Sequence, residues 1–402
     1  MPPRLLLVTI DRLPAWILPA WGSTWVSAPA LDALAGRGLV FDRVIAPSLD
    51  PRQTLDALAG GLVAAAARAG LRVGVVTDEA SGAALFAPER DSAGVAVTVV
   101  PAVVPRRSAR RAEETNLGRL FAAAGGIVAG ADHGLVWIHA GSLRLAWDAP
   151  ESFREPYLDA DDPPPLEGVG LPSLRLEADT DPDLVMGHRQ RFAAQVSLLD
   201  RCFGELLAAL PAPLPTSEGW TICVAGVRGM PLGLHGLVGP PEGAGAEMPY
   251  GESIHLPAIL VDGRGRMAGQ RHPGLVMPAD LGATLRRVLG FPEDRRAVDP
   301  DPGRALSGLF DTWTHEQRDR VIAATEAGTA VVTPHWFYLE SPGVDGEPRR
   351  RLYAKPDDFF EVADVSNRCP EVVAAMAEVV AAARVGDPRA WALPLGRAGE
   401  VA

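Results

Sequence analysis

The chain has 402 residues and 47% hydrophobic content, enough to bury one large core and a smaller subdomain. Its formal net charge of -12 argues against nucleic acid or an anionic membrane as partner, because both repel an acidic surface. Its three cysteines are widely spaced and form no CxxC pair, which argues against a disulfide framework or a zinc site. The first apolar run is too short for a secretory signal, and no segment reaches the roughly 18 apolar residues of a membrane span, so a cytoplasmic location is expected.

The first sixty residues contain the elements that matter most for function. An apolar run ends on Asp11, a helical pattern covers residues 28–38, and a short apolar strand leads into the turn at residues 47–52. In parallel sheets, functional side chains lie at the carboxyl ends of buried strands. We therefore expect Asp11 and the turn that carries Ser48 and Arg52 to share the rim of one crevice.

Strand and helix patterns alternate along the rest of the chain, which favours a mostly parallel sheet with helices on both faces. Buried strands are predicted at 71–78, 134–140, 220–226 and within 249–263, and helices at 55–70, 113–124, 188–211 and 275–290. A proline-rich segment at 291–306 is the best candidate for a boundary. We predict an α/β core over residues 1–310 and a subdomain over 311–402, in which strands at 329–341 and 349–355 and a helix at 370–383 form a small antiparallel sheet with one packed helix.

A basic cluster, RRSARR, occupies residues 106–111 just before one of the predicted helices. A solvated approach to that helix is the simpler interpretation, because runs of charge usually lie on the surface. An anion clamp is the alternative.

The opening stretch resembles that of the sulfatase family, within the alkaline-phosphatase-like superfamily. It matches the family pattern P-x-L-D-x-L-A-x-x-G-x-x-F at Pro29, Leu31, Asp32, Leu34, Ala35, Gly38 and Phe41. Further family landmarks follow in order: LLDRCFGELLAAL, LHG at 234–236, ESIHLPAILV, MPADLGATLRRVLG and LY at 352–353. The resemblance implies an alkaline-phosphatase-like α/β/α sandwich, with a large mostly parallel sheet and a small C-terminal antiparallel sheet plus helix.

The resemblance also implies a site. Family sulfatases bind a divalent cation, calcium or magnesium, through oxygen and amide ligands, and attack the ester with a formylglycine made from Cys or Ser. A hard cation prefers oxygen ligands, and a charged ester needs preorganised positive charge. By this resemblance Asp11 takes a metal-ligand position. The catalytic positions fall on Ser48, the nucleophile position, on Arg52, its activating arginine, and on His235.

Several family positions carry different chemistry in this chain. Arg12 stands at the second aspartate position, Arg144 at a histidine position, and Val227 and Arg228 at the strand-end ligand pair. Asp50 replaces the proline of the nucleophile motif, and the two family lysines have no counterpart. With guanidinium groups in place of anionic ligands, tight binding of a divalent cation is not expected.

Two classes of function remain open. The first is a degenerate sulfatase-like protein that serves as an anion-binding or interaction module, in which Arg12, Arg144 and Arg228, together with Arg52, hold a small anion or anionic ester without a metal. The second is an active sulfuric or phosphoric ester hydrolase with an atypical site that uses Ser48 and Arg52. The first is favoured, because the losses fall on ligand, nucleophile-motif and lysine positions together.

Structural interpretations of the same residues also stand. Asp11 is a strand-end aspartate that can cap backbone amides or pair with Arg12, Arg52 or Arg228, and such ion pairs often imitate functional sites. Ser48 is well placed to cap the helix that follows it. His235 is then a loop histidine near the rim.

Overall fold

An eight-stranded sheet forms the centre of the computed structural model, which describes residues 4–79, 94–130, 133–211, 220–241, 247–291, 303–311, 317–343 and 346–395. The first ten strands in chain order are β1 (Arg4–Asp11), β2 (Leu39–Ile45), β3 (Val73–Thr77), β4 (Val95–Val99), β5 (Leu135–Ala140), β6 (Leu174–Arg175), β7 (Trp220–Arg228), β8 (Leu237–Val238), β9 (His255–Val261) and β10 (Gln270–Val276). Strands β6 and β8 form a separate two-stranded ribbon. The large sheet has the order β10-β2-β9-β7-β1-β5-β3-β4.

All neighbouring strands of the large sheet are parallel except β9, which runs antiparallel to β2 and β7. Strand β1 lies between β5 and β7, and both neighbours run in its direction. The carboxyl ends of β3, β5, β1 and β7 therefore meet at one edge, which is where the predicted crevice lies.

Helices cover both faces of the sheet. They are α1 (Pro29–Ala35), α2 (Pro51–Ala59), α3 (Leu62–Arg68), α4 (Asn116–Ala129), α5 (Glu151–Arg154), α6 (Pro182–Ala208), α7 (Gly251–Ile254), α8 (Pro278–Val288), α9 (Gly308–Asp311) and α10 (Pro370–Arg384). Alternate residues of β1 enter different clusters: Leu6 and Val8 pack with α1, α4 and α6, whereas Leu5 and Leu7 pack with α2, α3 and α8. Since both of its faces are buried, β1 reads as a continuous apolar run. The predicted sandwich is confirmed.

A second sheet lies in the carboxyl-terminal part. Its antiparallel strands are β11 (Val321–Ala324), β12 (Thr329–Val332), β13 (Trp336–Ser341) and β14 (Arg349–Ala354). One face, with Val332 and Phe337, joins the core of the large sheet, and the other, with Val331 and Tyr338, packs on α10. The small sheet with one packed helix is confirmed, and the division at residue 310 stays a prediction.

Some boundaries differ from the sequence prediction. The helix predicted over 55–70 is broken into α2 and α3, because Gly61 adopts a left-handed φ of 67° at the junction. The strand predicted over 329–341 is two strands, β12 and β13, joined by a turn at 333–335. Strands β10 and β11 were not predicted. Most of the predicted boundary segment, 291–306, lies outside the described residues.

The structure also shows the state of the cysteines and the character of the described helices. The three cysteines are free thiols, Cys202 and Cys223 being buried and Cys369 half-buried. Among the described helices, none combines the length and the apolar character that crossing a bilayer would require.

Candidate active site

The centre of the crevice is an ion pair between the ends of two neighbouring strands. Asp11, the last residue of β1, is 1% exposed, and Arg228 is the last residue of β7. Arg228 Nε donates to Asp11 Oδ1 at 2.8 Å and Arg228 Nη2 donates to Asp11 Oδ2 at 3.0 Å. Both carboxylate oxygens are thus engaged by one guanidinium in the bidentate geometry that is strongest for this pair.

A β-bulge brings this pair together. The register of β1 against β7 shifts after Ile10, which pairs with Gly226, so that Asp11 pairs with Arg228 and Val227 is passed over. Bulges re-aim side chains at the ends of strands. Burial alone would lower the pKa of Arg228, but the adjacent Asp11 carboxylate outweighs it and the pKa is raised.

Arg144 approaches the same carboxylate from the turn after β5. Its Nε lies 3.9 Å from Asp11 Oδ2, and its Nη2 contacts the carboxylate of Glu79, just beyond β3. His139 Nε2 lies 3.5 Å from the other oxygen of Glu79. Contact with His139, joined by the charge of Arg144 and opposed by burial, lowers the pKa of Glu79 to about 2. Glu79 is therefore a counter-charge for Arg144.

Arg12 turns away from Asp11 towards a different carboxylate. Its backbone has a left-handed φ of 63°, a conformation that costs a non-glycine residue free energy. Its Nη1 donates to Gly229 O at 3.1 Å and to Glu247 Oε2 at 2.8 Å, and both side chains are buried. Ser253 donates its hydroxyl to the same carboxylate. Arg12, at the second aspartate position of the sulfatase pattern, is thus paired with Glu247.

The crevice therefore contains charges that balance in pairs: Arg228 with Asp11, Arg144 with Glu79, and Arg12 with Glu247. A divalent cation needs several oxygen ligands that no other cation already neutralises. The residues present do not fit that need, because Asp11 is occupied by Arg228 and no group of three or more His, Cys, Asp or Glu side chains in the described ranges could hold a metal ion. Among the described residues, Asp11 therefore has no further ligands for the predicted metal role, which stays a prediction.

The turn that carries Ser48 borders this cluster. Arg228 Nη1 donates to Leu49 O at 3.3 Å, which places the turn beside the Asp11 pair. Ser48 Oγ accepts from the amide of Asp50 at 3.0 Å, and Asp50 Oδ1 accepts from the amide of Arg52 at 2.9 Å. Asp50, and not Ser48, therefore caps α2. The Arg52 side chain is exposed, and within the described part of the chain it has no ion-pair partner.

His235 belongs to a neighbouring cluster that joins the core to the carboxyl-terminal part. Its ring stacks on Tyr250 with centroids 3.7 Å apart, and its Nε2 lies 3.3 Å from Glu361 Oε2. Lys355, the only lysine of the chain, donates to Glu361 Oε1 at 2.5 Å and to Asp358 O at 2.7 Å. Both side chains thus contact Glu361, and neither is directed to Asp11 by any contact of the described residues.

The structure brings together Asp11, Arg144 and Arg228, with the Ser48 turn beside them, whereas Arg12, Arg52 and His235 are directed elsewhere. Sequence reasoning missed Glu79, Glu247 and Glu361. Glu79 follows a predicted strand directly, and its position at a strand end could have identified it. Glu247 and Glu361 lie in irregular segments, where no periodic pattern singles them out.

Comparison with known proteins defines the fold. The structure is similar to a phosphonate monoester hydrolase of Agrobacterium radiobacter, with a TM-score of 0.72 and 16% identity over 96% of both chains. A phosphonate monoester hydrolase from Silicibacter pomeroyi gives 0.69 at 15% identity, again over 96% of both chains. A 2-O GAG sulfatase gives 0.67 at 15% identity over 97% of this chain and 93% of the other.

These likenesses show that the chain has the alkaline-phosphatase-like fold of sulfatases and phosphonate monoester hydrolases, as the sequence resemblance predicted. No protein-family model matches the sequence. No curated protein matches it either.

Proposed function

We propose that this chain is a sulfatase-like protein that has lost metal-dependent ester hydrolysis and acts as a binding or interaction module. The observation that carries the proposal is the Asp11–Arg228 pair, in which one guanidinium takes both oxygens of the carboxylate that would hold a cation. A fixed guanidinium supplies the charge that a metal would otherwise supply. It cannot polarise a bound water or activate a nucleophile as a metal does.

The surrounding charges support the same proposal. Arg144 and Arg12 each have a carboxylate partner of their own, so the cluster carries little excess positive charge for a substrate anion. Asp50 caps α2 in the position where the family motif has proline. The crevice on this proposal is a structural ion-pair cluster that holds β1, β3, β5 and β7 together at their carboxyl ends.

The first prediction concerns metal content. Protein incubated with calcium, magnesium and zinc and then desalted should carry only substoichiometric amounts of each, because Arg228 competes for both oxygens of Asp11. Elemental analysis by mass spectrometry measures this directly. An Asp11→Asn variant is the matched control and should give the same values. Stoichiometric metal in the native protein that disappears in this variant would refute the proposal and favour an enzyme.

The second prediction concerns maturation of the nucleophile position. Ser48 should be found as unmodified serine, because Asp50 stands where the family's modification motif has a proline. Peptide mass spectrometry over residues 38–52 tests this, since conversion to formylglycine removes hydrogen and leaves a distinct mass. Detection of formylglycine or its hydrate at Ser48 would contradict the prediction.

An active hydrolase is the second candidate. Its supporting observation is the position of Ser48 in a turn joined to the crevice by the Arg228 contact with Leu49, while the Arg52 side chain nearby is exposed. On this hypothesis, hydrolysis of an aryl sulfate or aryl phosphate should be abolished by Ser48→Ala and strongly reduced by Arg52→Ala. If both variants keep the activity of the native protein, the observed hydrolysis comes from a contaminant.

A further inference from the structure

A cavity of about 490 Å³, within the usual size range of small-ligand sites, lies beyond the carboxyl end of β4. We call it the β4-edge pocket and define it by the four arginines that line it, Arg106, Arg107, Arg110 and Arg119. Three of them come from the basic cluster at 106–111, which the crevice does not use. Arg119 comes from the first turns of α4.

Within the described residues, the three arginines of the basic cluster that line the pocket have no partner for their guanidinium groups. Arg106, Arg107 and Arg110 are exposed, and in the described part of the chain none of their guanidinium groups makes an ion pair or hydrogen bond. Only the backbone amide of Arg110 is engaged, by Glu114 Oε2 at 3.2 Å. This differs from Arg12, Arg144 and Arg228, each of which is paired with a carboxylate.

The loop that presents these groups is held at both ends. The amide and carbonyl of Val103 bond to the side chain of Asn116, each at 2.9 Å. At the other end Ala109 N donates to Asp148 O at 3.0 Å, and Asp148 Oδ2 in turn accepts from Asn116 N at 2.8 Å. A loop fixed in this way presents its side chains from a defined frame, which reduces the entropy lost on binding.

The charges around the pocket favour an anion. The pocket lining contains four arginines and two acidic residues, Glu114 and Asp148, and Arg119 donates to Asn116 Oδ1 at 2.7 Å. Glu114 is already paired with Arg111, and Asp148 is buried and accepts hydrogen bonds from Asn116 and Gln195. The pocket has a local excess of positive charge, although the net charge of the chain is -12. This local charge would concentrate anions at the pocket.

We propose that the β4-edge pocket binds the tetrahedral oxyanion of a small phosphate or sulfate ester, with Arg106, Arg107 and Arg110 on the oxyanion and Val103 and Pro105 against its organic part. Arginine forks donate pairs of hydrogen bonds to such groups, and Val103 is 49% exposed at the pocket. The site is separate from Asp11 and needs no metal. This inference does not depend on whether the crevice is catalytic.

The test is a calorimetric titration of the full chain with four probes: inorganic phosphate, inorganic sulfate, phenyl phosphate and phenyl sulfate. Binding of at least one phenyl ester is expected. The Arg106→Ala/Arg107→Ala double variant should weaken it by about tenfold or more, because hydrogen bonds to charged groups are lost. Arg37→Ala, an exposed arginine between α1 and β2, is the matched control and should leave the affinity unchanged. Arg52→Ala reports whether a probe binds at the crevice instead. A difference between the phosphate and sulfate probes would identify the ester.

Three outcomes would overturn the inference. The first is absence of binding by all four probes. The second is binding of the inorganic ions without either phenyl ester, which would remove the ester assignment. The third is an affinity that falls in Arg52→Ala or Arg37→Ala as much as in the double variant, which would place the anion in the crevice or on the general surface. The metal and Ser48 measurements are independent of these results, so either proposal can fail alone.

Discussion

Replacing Arg228 by methionine should lower the free energy of unfolding by about 3–5 kcal/mol, the usual cost of leaving one member of a buried ion pair without its partner. Asp11 is 1% exposed, and without Arg228 its nearest cation is Arg144, whose Nε is 3.9 Å away. The carboxylate would have to stay charged without its two hydrogen bonds or take up a proton. Urea denaturation at pH 7, followed by circular dichroism, measures the change.

The double variant Asp11→Leu/Arg228→Met tests whether the pair itself is the cause. Because apolar groups of similar volume often replace a buried pair without loss, the double variant should recover at least half of the stability lost in Arg228→Met. Arg52→Met, an exposed arginine near the same turn, should change stability by no more than about 0.5 kcal/mol. If the single variant loses less than about 1 kcal/mol, the crevice is not the structural ion-pair cluster proposed above.

The fold was predictable because its signals are local. Strand β1 is buried on both faces and reads as an unbroken apolar run, and the small sheet with helix α10 appears as two strand patterns and one helical pattern. The helix break at Gly61 could also have been anticipated, since paired glycines weaken a helix. Division of residues 329–341 into β12 and β13 is harder to see, because the turn between them contains only one strong breaking residue, Pro334.

The arrangement of charges in the site was only partly predictable, because its partners are distant in sequence. Asp11 and Arg228 are 217 residues apart, and Arg12 and Glu247 are 235 apart. Family positions identified the three arginines and Asp11, but not the other two carboxylates, Glu79 and Glu247. The sequence is compatible with two arrangements. In one, four free arginines surround an anion; in the other, three arginines are neutralised by carboxylates. The register shift that sets Arg228 opposite Asp11 is likewise absent from any local pattern.

The same distinction separates the crevice from the β4-edge pocket. In the crevice, Arg12, Arg144 and Arg228 each contact a carboxylate from a distant part of the chain, so their positive charge is already neutralised. In the pocket, the basic cluster at 106–111 is presented by a single loop whose hydrogen bonds involve Val103 and Ala109. The positive charges that this loop presents to the pocket therefore stay unpaired within the described residues. For that reason an anion-binding role fits the pocket better than the crevice.

The change in the free energy of unfolding caused by Glu252→Gln should be more favourable at pH 8 than at pH 4 by about 3 kcal/mol. Each unit of pKa shift corresponds to about 1.4 kcal/mol. Glu252 lies on α7, is 4% exposed, and accepts from Leu232 N at 3.1 Å. Burial raises its pKa to about 7, against the opposing hydrogen bonds from Leu232 and Leu234 and the charge of His235. Glutamine imitates the protonated form and keeps an acceptor for Leu232.

The sign of the effect follows from the protons bound in each state. The folded protein holds the Glu252 proton up to about pH 7, whereas the unfolded chain releases it near 4.5, so the stability that this proton contributes is complete below 4.5 and is lost as the pH rises through 7. Burial lowers the pKa of His188 and His255 to about 4, and these groups act in the opposite direction between pH 4 and 6.5. The contribution of Glu252 is therefore obtained from the difference in the free energy of unfolding between the native protein and Glu252→Gln. Glu155→Gln, which removes an exposed charge, is its control. A difference that stays constant from pH 4 to 8 would mean that Glu252 has the same pKa in the folded and the unfolded protein, which would contradict the effect of its burial.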